Sequence, residues 1–313
     1  MLPVHDRAAV DRALDFPALI EALRQGFAQG CEAPVRHHHP VPRTDAADAT
    51  LLIMPAWQRD RHLGVKIVQV SPGNEARGLP TVDGLYILFD AVTGTPLAVM
   101  DGKAITERRT AAASALAASY LAPPNADHHL VIGAGAVAAM LVPAMHAVRP
   151  IERVTLWNRT PAKADLLAER LASEGFAIEV TTDLEGAMAE ADIVSAATMS
   201  AEPLIKGAVV KPGAHVDLVG AFNPSLRESD DALMARASLF VDTRGGALAE
   251  AGDILQAIQS GAIDESAIAA DLAELCRGDH PGRTQADEVT VFKSVGAAIE
   301  DLVAANLVLD RLG

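Results

Sequence analysis

The feature that most constrains the fold is a glycine-rich turn between an apolar strand pattern and an alanine-rich helix pattern. The strand pattern at 129–132 runs into Gly133-Ala134-Gly135-Ala136-Val137-Ala138, a G-x-G-x-x-A sequence. The first glycine permits a tight turn, the second lets the backbone approach a pyrophosphate, and Ala138 allows close packing of helix on strand. The N–H groups at the helix start, including those of Ala136 and Val137, would then point at phosphates. The turn predicts a dinucleotide site.

Strands and helices alternate after this turn, whereas the earlier chain is rich in strands. The later strand patterns are HHLVIGAG, VTLWNRT, AIEVT, ADIVSAAT, HVDLVGA and SLFVDT, with helices near 136–147 and 161–174. Such alternation predicts βαβ units and a parallel sheet. Before it, a helix at 17–29 precedes ATLLIMP, GVKIVQV, GLYILFD and TPLAVMD, a strand meander whose last two members form a hairpin.

Two further helices complete the predicted elements. An alanine-rich helix is expected at 106–121 with Thr106 as its N-cap, and Pro123-Pro124-Asn125 then breaks the chain at a domain junction. The stretch at about 288–311 predicts a helix after a short lead-in.

Composition excludes several classes of protein. The net charge of −15 argues against a nucleic-acid partner, because phosphate contacts need clustered Lys and Arg. Cys31 and Cys276 are too few for a disulfide framework and lack metal-ligand spacing. No metal site is expected at His37-His38-His39, because consecutive strand residues point to alternate faces. The chain start lacks a signal-peptide pattern and no apolar run is long enough to span a membrane, so we expect a cytoplasmic protein with no membrane partner.

The second strand of the alternating region indicates which dinucleotide is bound. An NAD-specific site would carry Asp or Glu at the end of this strand, to accept hydrogen bonds from the ribose hydroxyls. Here the strand ends in Asn158-Arg159-Thr160, with Lys163 one turn further on. A carboxylate would repel a 2′-phosphate, whereas Arg159 and Thr160 could bind one. We therefore expect NADPH, with NADH possible.

Three cations in the first third of the chain stand among apolar residues. Lys66 lies inside the apolar strand GVKIVQV, where a lysine needs a partner or a function, although an outward-facing lysine would fit the same pattern. Arg109 is expected in the first turn of the alanine-rich helix, where guanidinium and helix N-terminus could bind one carboxylate together. Arg36 precedes the three histidines. The set suits a small anionic substrate.

The chain resembles the ornithine cyclodeaminase/mu-crystallin family along nearly its whole length. The matching segments are MPAW (54–57), GVKIVQVSPGNEARGLPTVDGL (64–85), DAVTGTPLAVMDG (90–102), ITERRTAAAS (105–114), VIGAGAVA and FKSVG (292–296). The resemblance implies an α/β protein with a Rossmann doubly wound parallel-sheet domain at 123–296. It also implies a smaller α+β substrate-binding and dimerisation domain at 1–122 plus 297–313, and a homodimer.

The resemblance also implies roles for individual residues. Arg36, Lys66 and Arg109 would surround the substrate carboxylate, with Thr81 beside them. Thr198 and Ser294-Val295-Gly296 would lie near the nicotinamide half of the cofactor.

One departure from the family pattern decides between its members. Ornithine cyclodeaminases carry an acidic residue in a Gly-Gly-Asp-type segment, whereas this chain has Phe222 at that position. Phenylalanine can neither take a proton nor pair with a second amine. The nearest acids, Glu228, Asp230 and Asp231, are expected at the start of the next helix.

Together with the VDTRGGALAEAGD stretch (241–253), the segment around Phe222 resembles the imine-reducing branch of the family, notably the Δ1-pyrroline-2-carboxylate reductases. The resemblance implies reduction of a cyclic α-imino acid, foremost Δ1-pyrroline-2-carboxylate to L-proline, with Lys66 and Arg109 as catalytic residues. Ornithine cyclodeamination, alanine dehydrogenation and non-catalytic binding of a small ligand with NADPH remain alternatives, and ring size stays open.

Overall fold

The structure is a computed structural model that describes residues 1–44 and 46–313. The chain forms two compact units, Met1–Arg109 with Ala297–Gly313, and Thr110–Gly296. The first boundary between the two units, after Arg109, therefore lies inside the alanine-rich helix. The sequence predicted this boundary after residue 122. The backbone carbonyls of Tyr120 and Leu121 at the end of that helix accept hydrogen bonds from Arg283, and Leu121 also accepts one from Thr290. These bonds explain why the second half of the helix belongs to the second unit.

The first unit contains a six-stranded sheet. Its strands are β1 (Val4–His5), β2 (His37–Val41), β3 (Ala49–Trp57), β4 (His62–Val70), β5 (Val82–Asp90) and β6 (Pro96–Asp101), in the order β1-β6-β5-β4-β3-β2. β1 pairs parallel with β6, and every other pairing is antiparallel. The expected meander and its terminal hairpin are confirmed.

Among residues 1–44 and 46–313, the α-helices that accompany this sheet are α1 (Arg7–Ala13), α2 (Phe16–Gln29), the beginning of α3 (Gly102–Leu121), and the last helix of the chain, α11 (Ala298–Leu312). α11 packs on α2 and across β3, β4 and β5. A helix from the C-terminal end thus covers one face of strands from the N-terminal third.

The second unit contains an eight-stranded, wholly parallel sheet. Its strands are β7 (His128–Ile132), β8 (Arg153–Trp157), β9 (Ile178–Val180), β10 (Ile193–Ala196), β11 (His215–Leu218), β12 (Ser238–Val241), β13 (Ile268–Asp271) and β14 (Thr290–Lys293). Its helices are α4 (Ala136–His146), α5 (Pro161–Ser173), α6 (Leu184–Glu190), α7 (Asp231–Arg236), α8 (Arg244–Glu250), α9 (Gly252–Gln259) and α10 (Leu272–Arg277).

The strand order is β13-β12-β14-β11-β10-β7-β8-β9, which confirms the doubly wound Rossmann fold. The order reverses between β7 and β10, and ligands of such sheets bind outside the carboxyl ends of the strands at this switch point. Every residue of β7, β10, β11 and β14 is buried, as expected for parallel strands covered on both faces.

Two predicted elements are wrong in their bounds. α3 begins at Gly102, because the Asp101 carboxylate accepts a hydrogen bond from the Ala104 N–H and caps the helix five residues before the predicted cap, Thr106. The lead-in to the last predicted helix contains β14, and the helix itself begins only at Ala298. The apolar residues of β14 lie close before those of the helix, and the sequence analysis therefore assigned both to one element.

Candidate active site

Register places Lys66 in a row of side chains that crosses the first sheet. Lys66 pairs with Met54 on one side and Tyr86 on the other, and Tyr86 pairs with Met100. These four side chains are buried. His37 pairs with Ile53, so that Arg36 continues the same row beyond Met54. Lys66 therefore lies on the buried face of the sheet, the same face as Val68, and the outward alternative is wrong.

The Lys66 ammonium lies under α11. It is 2% exposed and donates hydrogen bonds to Asp301 Oδ1 at 2.9 Å and to Thr106 Oγ1 at 3.3 Å. Asp301 Oδ2 lies 2.8 Å from the same nitrogen, a distance that makes an ion pair without hydrogen-bond geometry. Thr106, expected to cap α3, instead donates its hydroxyl proton to the Gly102 carbonyl and accepts from the lysine.

Arg109 shares the carboxylate that binds Lys66. Its Nε donates to Asp301 Oδ1 at 3.0 Å, and its Nη1 donates to Glu300 Oε2. Because α3 begins at Gly102, Arg109 lies two turns inside the helix, and the predicted joint action with the helix N-terminus is wrong. The guanidinium is instead held by two buried acids from α11.

Burial and neighbouring charges set the proton affinity of Lys66. Removal from water lowers its pKa to about 8, the Asp301 charge opposes this shift, and the charges of Arg109 and Arg36 add to it. The effect of Arg36 shows that its charge reaches the lysine. Within the cluster, Lys66 forms an ion pair with Asp301, and Arg109 forms ion pairs with both Glu300 and Asp301.

The sequence analysis missed Glu300 and Asp301. Both are buried, although they follow one another in the apolar pattern AIEDLVAANLVL. Two adjacent acids within a buried helix need cationic partners, and that pattern is the signal that could have revealed them. The buried Tyr86 hydroxyl, for which no hydrogen-bond partner is found among residues 1–44 and 46–313, was missed as well.

Register does not place Thr81 beside the cations. Thr81 precedes β5 at the far end of the β4 pairing, five strand positions from the partner of Lys66, or about 16 Å along the sheet. Its carbonyl accepts a hydrogen bond from the Ser71 N–H. The three histidines are exposed on β2, and the described ranges contain no cluster of side chains that could hold a metal ion.

The glycine turn in the second unit has the geometry that a dinucleotide requires. Gly133 has a φ of +121°, and a Cβ there would lie 2.7 Å from the Ala197 carbonyl, so the turn needs glycine. Gly135 is the N-cap of α4, and no described atom lies within 4 Å of where its Cβ would be. Ala136 and Val137 begin the helix. These residues fit a pyrophosphate at the switch point.

The residues after β8 lie at the edge of the same site. The Asn158 amide donates to the Thr160 carbonyl at 2.8 Å and shapes the turn into α5, of which Thr160 is the N-cap. Arg159, Thr160 and Lys163 are exposed. The cationic side chains of Arg159 and Lys163 and the hydroxyl of Thr160 suit a 2′-phosphate, and the preference for NADPH remains a prediction.

Two further loops at the carboxyl edge are bound to buried acids. Thr198 donates through both its N–H and its hydroxyl to Glu228 Oε1, each at 2.8 Å. Ser294 donates its hydroxyl proton to Asp242 Oδ2 at 3.1 Å. Glu228 is fully buried and is not part of a helix start, unlike Asp230 and Asp231, which do begin α7.

Comparison with known proteins identifies the family of the chain. The family model described as ornithine cyclodeaminase/mu-crystallin family matches residues 3–313. The chain belongs to this family. It is 45% identical over 290 residues to a Delta(1)-pyrroline-2-carboxylate reductase of Paracoccus denitrificans, covering 92% of this chain and 90% of the relative.

Two solved structures share the complete fold. The Delta(1)-pyrroline-2-carboxylate reductase of Thermococcus litoralis, in complex with NADH and L-proline, has a TM-score of 0.94 at 34% identity and covers 99% of this chain and 97% of its own. An archaeal alanine dehydrogenase dimer with bound NAD has a TM-score of 0.90 at 29% identity, covering 99% and 95%. Family membership thus extends over both units of the chain.

Proposed function

We propose that this chain is an NAD(P)H-dependent reductase of cyclic α-imino acids, foremost of Δ1-pyrroline-2-carboxylate, which it converts to L-proline. The observation that carries the proposal is the buried cluster in which Lys66 and Arg109 meet under α11. The names of the relatives from Paracoccus and Thermococcus support the same substrate.

The charge of the cluster suits a small carboxylate. Lys66 and Arg109 are both buried, and in a region of low dielectric their charges would interact strongly with a small anionic group. In the proposal Arg36 and Arg109 fix the substrate carboxylate, which orients the C=N bond. Thr81 remains a proposed substrate contact, although the register supplies no support for it.

Lys66 is proposed to supply a proton to the imine nitrogen. Its pKa of about 8 means that it is protonated at neutral pH, yet its proton is held less tightly than that of an exposed lysine. Thr106 and Asp301 hold the ammonium in place. Once the nitrogen carries a positive charge, the adjoining carbon accepts hydride more readily.

The cofactor would be held by the second unit. Gly133, Gly135, Ala136 and Val137 would bind the pyrophosphate, and Thr198 and Ser294 would lie near the nicotinamide half. Asn158, Arg159, Thr160 and Lys163 would bind the adenosine ribose and its phosphate. When bound, the reduced nicotinamide supplies the hydride that the imine carbon receives. The proposal favours NADPH over NADH.

The proposal includes a homodimer and a cytoplasmic location. The archaeal alanine dehydrogenase, which is a dimer, supports the former. None of the helices in the described ranges is long and apolar enough to cross a membrane.

The test is a substrate panel followed by absorbance of the reduced nicotinamide. Cyclic imines of different ring size, pyruvate with ammonia, and ornithine would each be offered with NADPH or NADH. We expect turnover of a five-membered cyclic imine and none of ornithine. Ammonia release from ornithine, or faster reduction of pyruvate with ammonia, would overturn the proposed reaction.

Variants test the cluster itself. Lys66→Ala and Arg109→Ala should each reduce imine turnover by about two orders of magnitude or more while NADPH still binds. Arg108→Ala is the matched control, because this neighbour on α3 bonds to Asp11 and the Leu14 carbonyl instead. Near-normal turnover by either cluster variant would remove that residue from the mechanism.

A further inference from the structure

Glu228 joins two loops of the second unit through four hydrogen bonds. Its Oε1 accepts from the N–H and the hydroxyl of Thr198, and its Oε2 accepts from the N–H groups of Gly220 at 2.7 Å and Ala221 at 3.2 Å. The side chain is fully buried. One carboxylate therefore accepts from backbone N–H groups of both loops, and charged acceptors make the stronger hydrogen bonds.

These loops follow β10 and β11, which are neighbours in the sheet. They also touch each other and the glycine turn. A Cβ at Gly220 would lie 1.8 Å from the Thr198 carbonyl, just as a Cβ at Gly133 would lie 2.7 Å from that of Ala197. Close-packed backbone leaves little room for independent movement. A shift at Glu228 would therefore change the carboxyl edge of the sheet, where dinucleotides bind.

A second buried acid and a buried lysine hold Glu228 in turn. Asp253 Oδ1 accepts from the N–H groups of Glu228 and Ser229 and from the Ser229 hydroxyl, at 2.8–2.9 Å. Lys293 Nζ lies 3.0 Å from Asp253 and 3.9 Å from Glu228. Burial raises the pKa of Glu228 to about 7, and the Lys293 charge opposes that shift. The four donors that face its two oxygens, together with the nearby lysine, favour the ionised form of the side chain and fix its position.

We propose that Glu228 is a positioning residue for the dinucleotide: it holds the Thr198 and Gly220–Ala221 backbone in the geometry that receives the nicotinamide half. The inference rests on the proposed function, since it requires that the second unit binds a nicotinamide dinucleotide. In this proposal Glu228 contacts neither substrate nor cofactor, and affects binding only by holding the two loops in place.

The decisive variant is Glu228→Gln, which preserves size but replaces one acceptor oxygen with an N–H donor. That donor must face the N–H groups of one of the two loops. We expect the dissociation constant for NADH or NADPH, measured by fluorescence titration without imine, to rise about tenfold. The KM for the imine at saturating dinucleotide should change less than twofold. An effect only on melting temperature, with dinucleotide affinity within twofold, would overturn the proposal.

Asp217→Asn is the matched control. Asp217 is an equally buried acid on β11, but within the described part of the chain no backbone N–H donates to it. We expect its dinucleotide affinity to match that of the unaltered protein. A tenfold loss in this control as well would show that any buried charge change has the effect, and would overturn the specific role of Glu228.

Thr198→Val provides a second test, which remains informative if Glu228→Gln does not fold. It removes one of the four donors, and we expect a loss of about threefold in dinucleotide affinity. Where both variants fold, Thr198→Val should cost little more in the Glu228→Gln background, because the two residues share one interaction. Unchanged affinity in Thr198→Val, or full additivity, would contradict the proposal.

Direct binding also separates this inference from the proposed function. If the unaltered protein binds NADH but reduces no imine, only the proposed reaction fails. If it binds neither NADH nor NADPH, both proposals fail.

Discussion

At the scale of single residues, the buried ammonium of Lys66 should make imine reduction sensitive to alkaline pH. Its lowered pKa of about 8 means that the proton is held below pH 8 and lost as the pH rises through that value, well before an exposed lysine would titrate. We expect kcat/KM for the imine to fall about tenfold per pH unit above 8. Initial rates between pH 6 and 10, corrected for ionisation of the imine, measure this profile.

Lys66→Arg separates charge from other alkaline effects. A guanidinium stays protonated throughout this range, so any activity that the variant retains should lose the fall above pH 8. An unchanged midpoint in Lys66→Arg would assign the titration to another group.

The residues of this cluster also show how far sequence alone reaches. Lys66 and Arg109 could be predicted, because a cation within an apolar pattern is conspicuous and a family resemblance adds a role. Their partnership with Asp301 could not, since it joins positions 235 and 192 residues apart along the chain. Glu228 was misassigned because its neighbours Asp230 and Asp231 do begin a helix, and only three-dimensional packing separates it from them.

At the scale of elements, the sequence predicted strands and helices wherever the apolar periodicity extended over enough residues. The glycine turn, the meander and most α/β alternation followed from apolar periodicity. The start of α3 did not, because Asp101 and Thr106 are both plausible N-caps and the sequence does not rank them. β14 was missed because only residues 294–297 separate it from the last helix, and the sequence analysis assigned both to one element.

The cap at Asp101 gives a direct test of the observed start of α3. Asp101→Ala removes the acceptor for the Ala104 N–H and should lower the free energy of unfolding by about 1 kcal/mol in urea titrations. Asp101→Asn keeps an acceptor and should cost less than half as much. Equal losses in the two variants would indicate that the charge of Asp101, and not its hydrogen bond, stabilises the helix.

At the scale of the whole molecule, the sheet of the first unit suggests how two copies would associate. The face opposite Lys66 carries a paired row of Ile53, Ile67 and Leu85, of which Ile67 is 38% and Leu85 is 53% exposed. Adjacent apolar side chains on one sheet face are typical of an interface. A two-fold dimer would bury this face in both copies, because an isologous interface uses the same surface twice.

Two charges on that face should therefore convert the proposed dimer to a monomer. Ile67→Glu combined with Leu85→Glu would bury four unpaired carboxylates per dimer, a cost that an interface of ordinary size does not offset. Sedimentation equilibrium would measure the mass, against about 65 kDa for two chains of 32.7 kDa. Leu166→Glu is the matched control, since Leu166 is 68% exposed on α5 of the other unit and should leave the mass unchanged. A double variant that stays dimeric would place the interface elsewhere, and a monomeric unaltered protein would remove the dimer from the proposal.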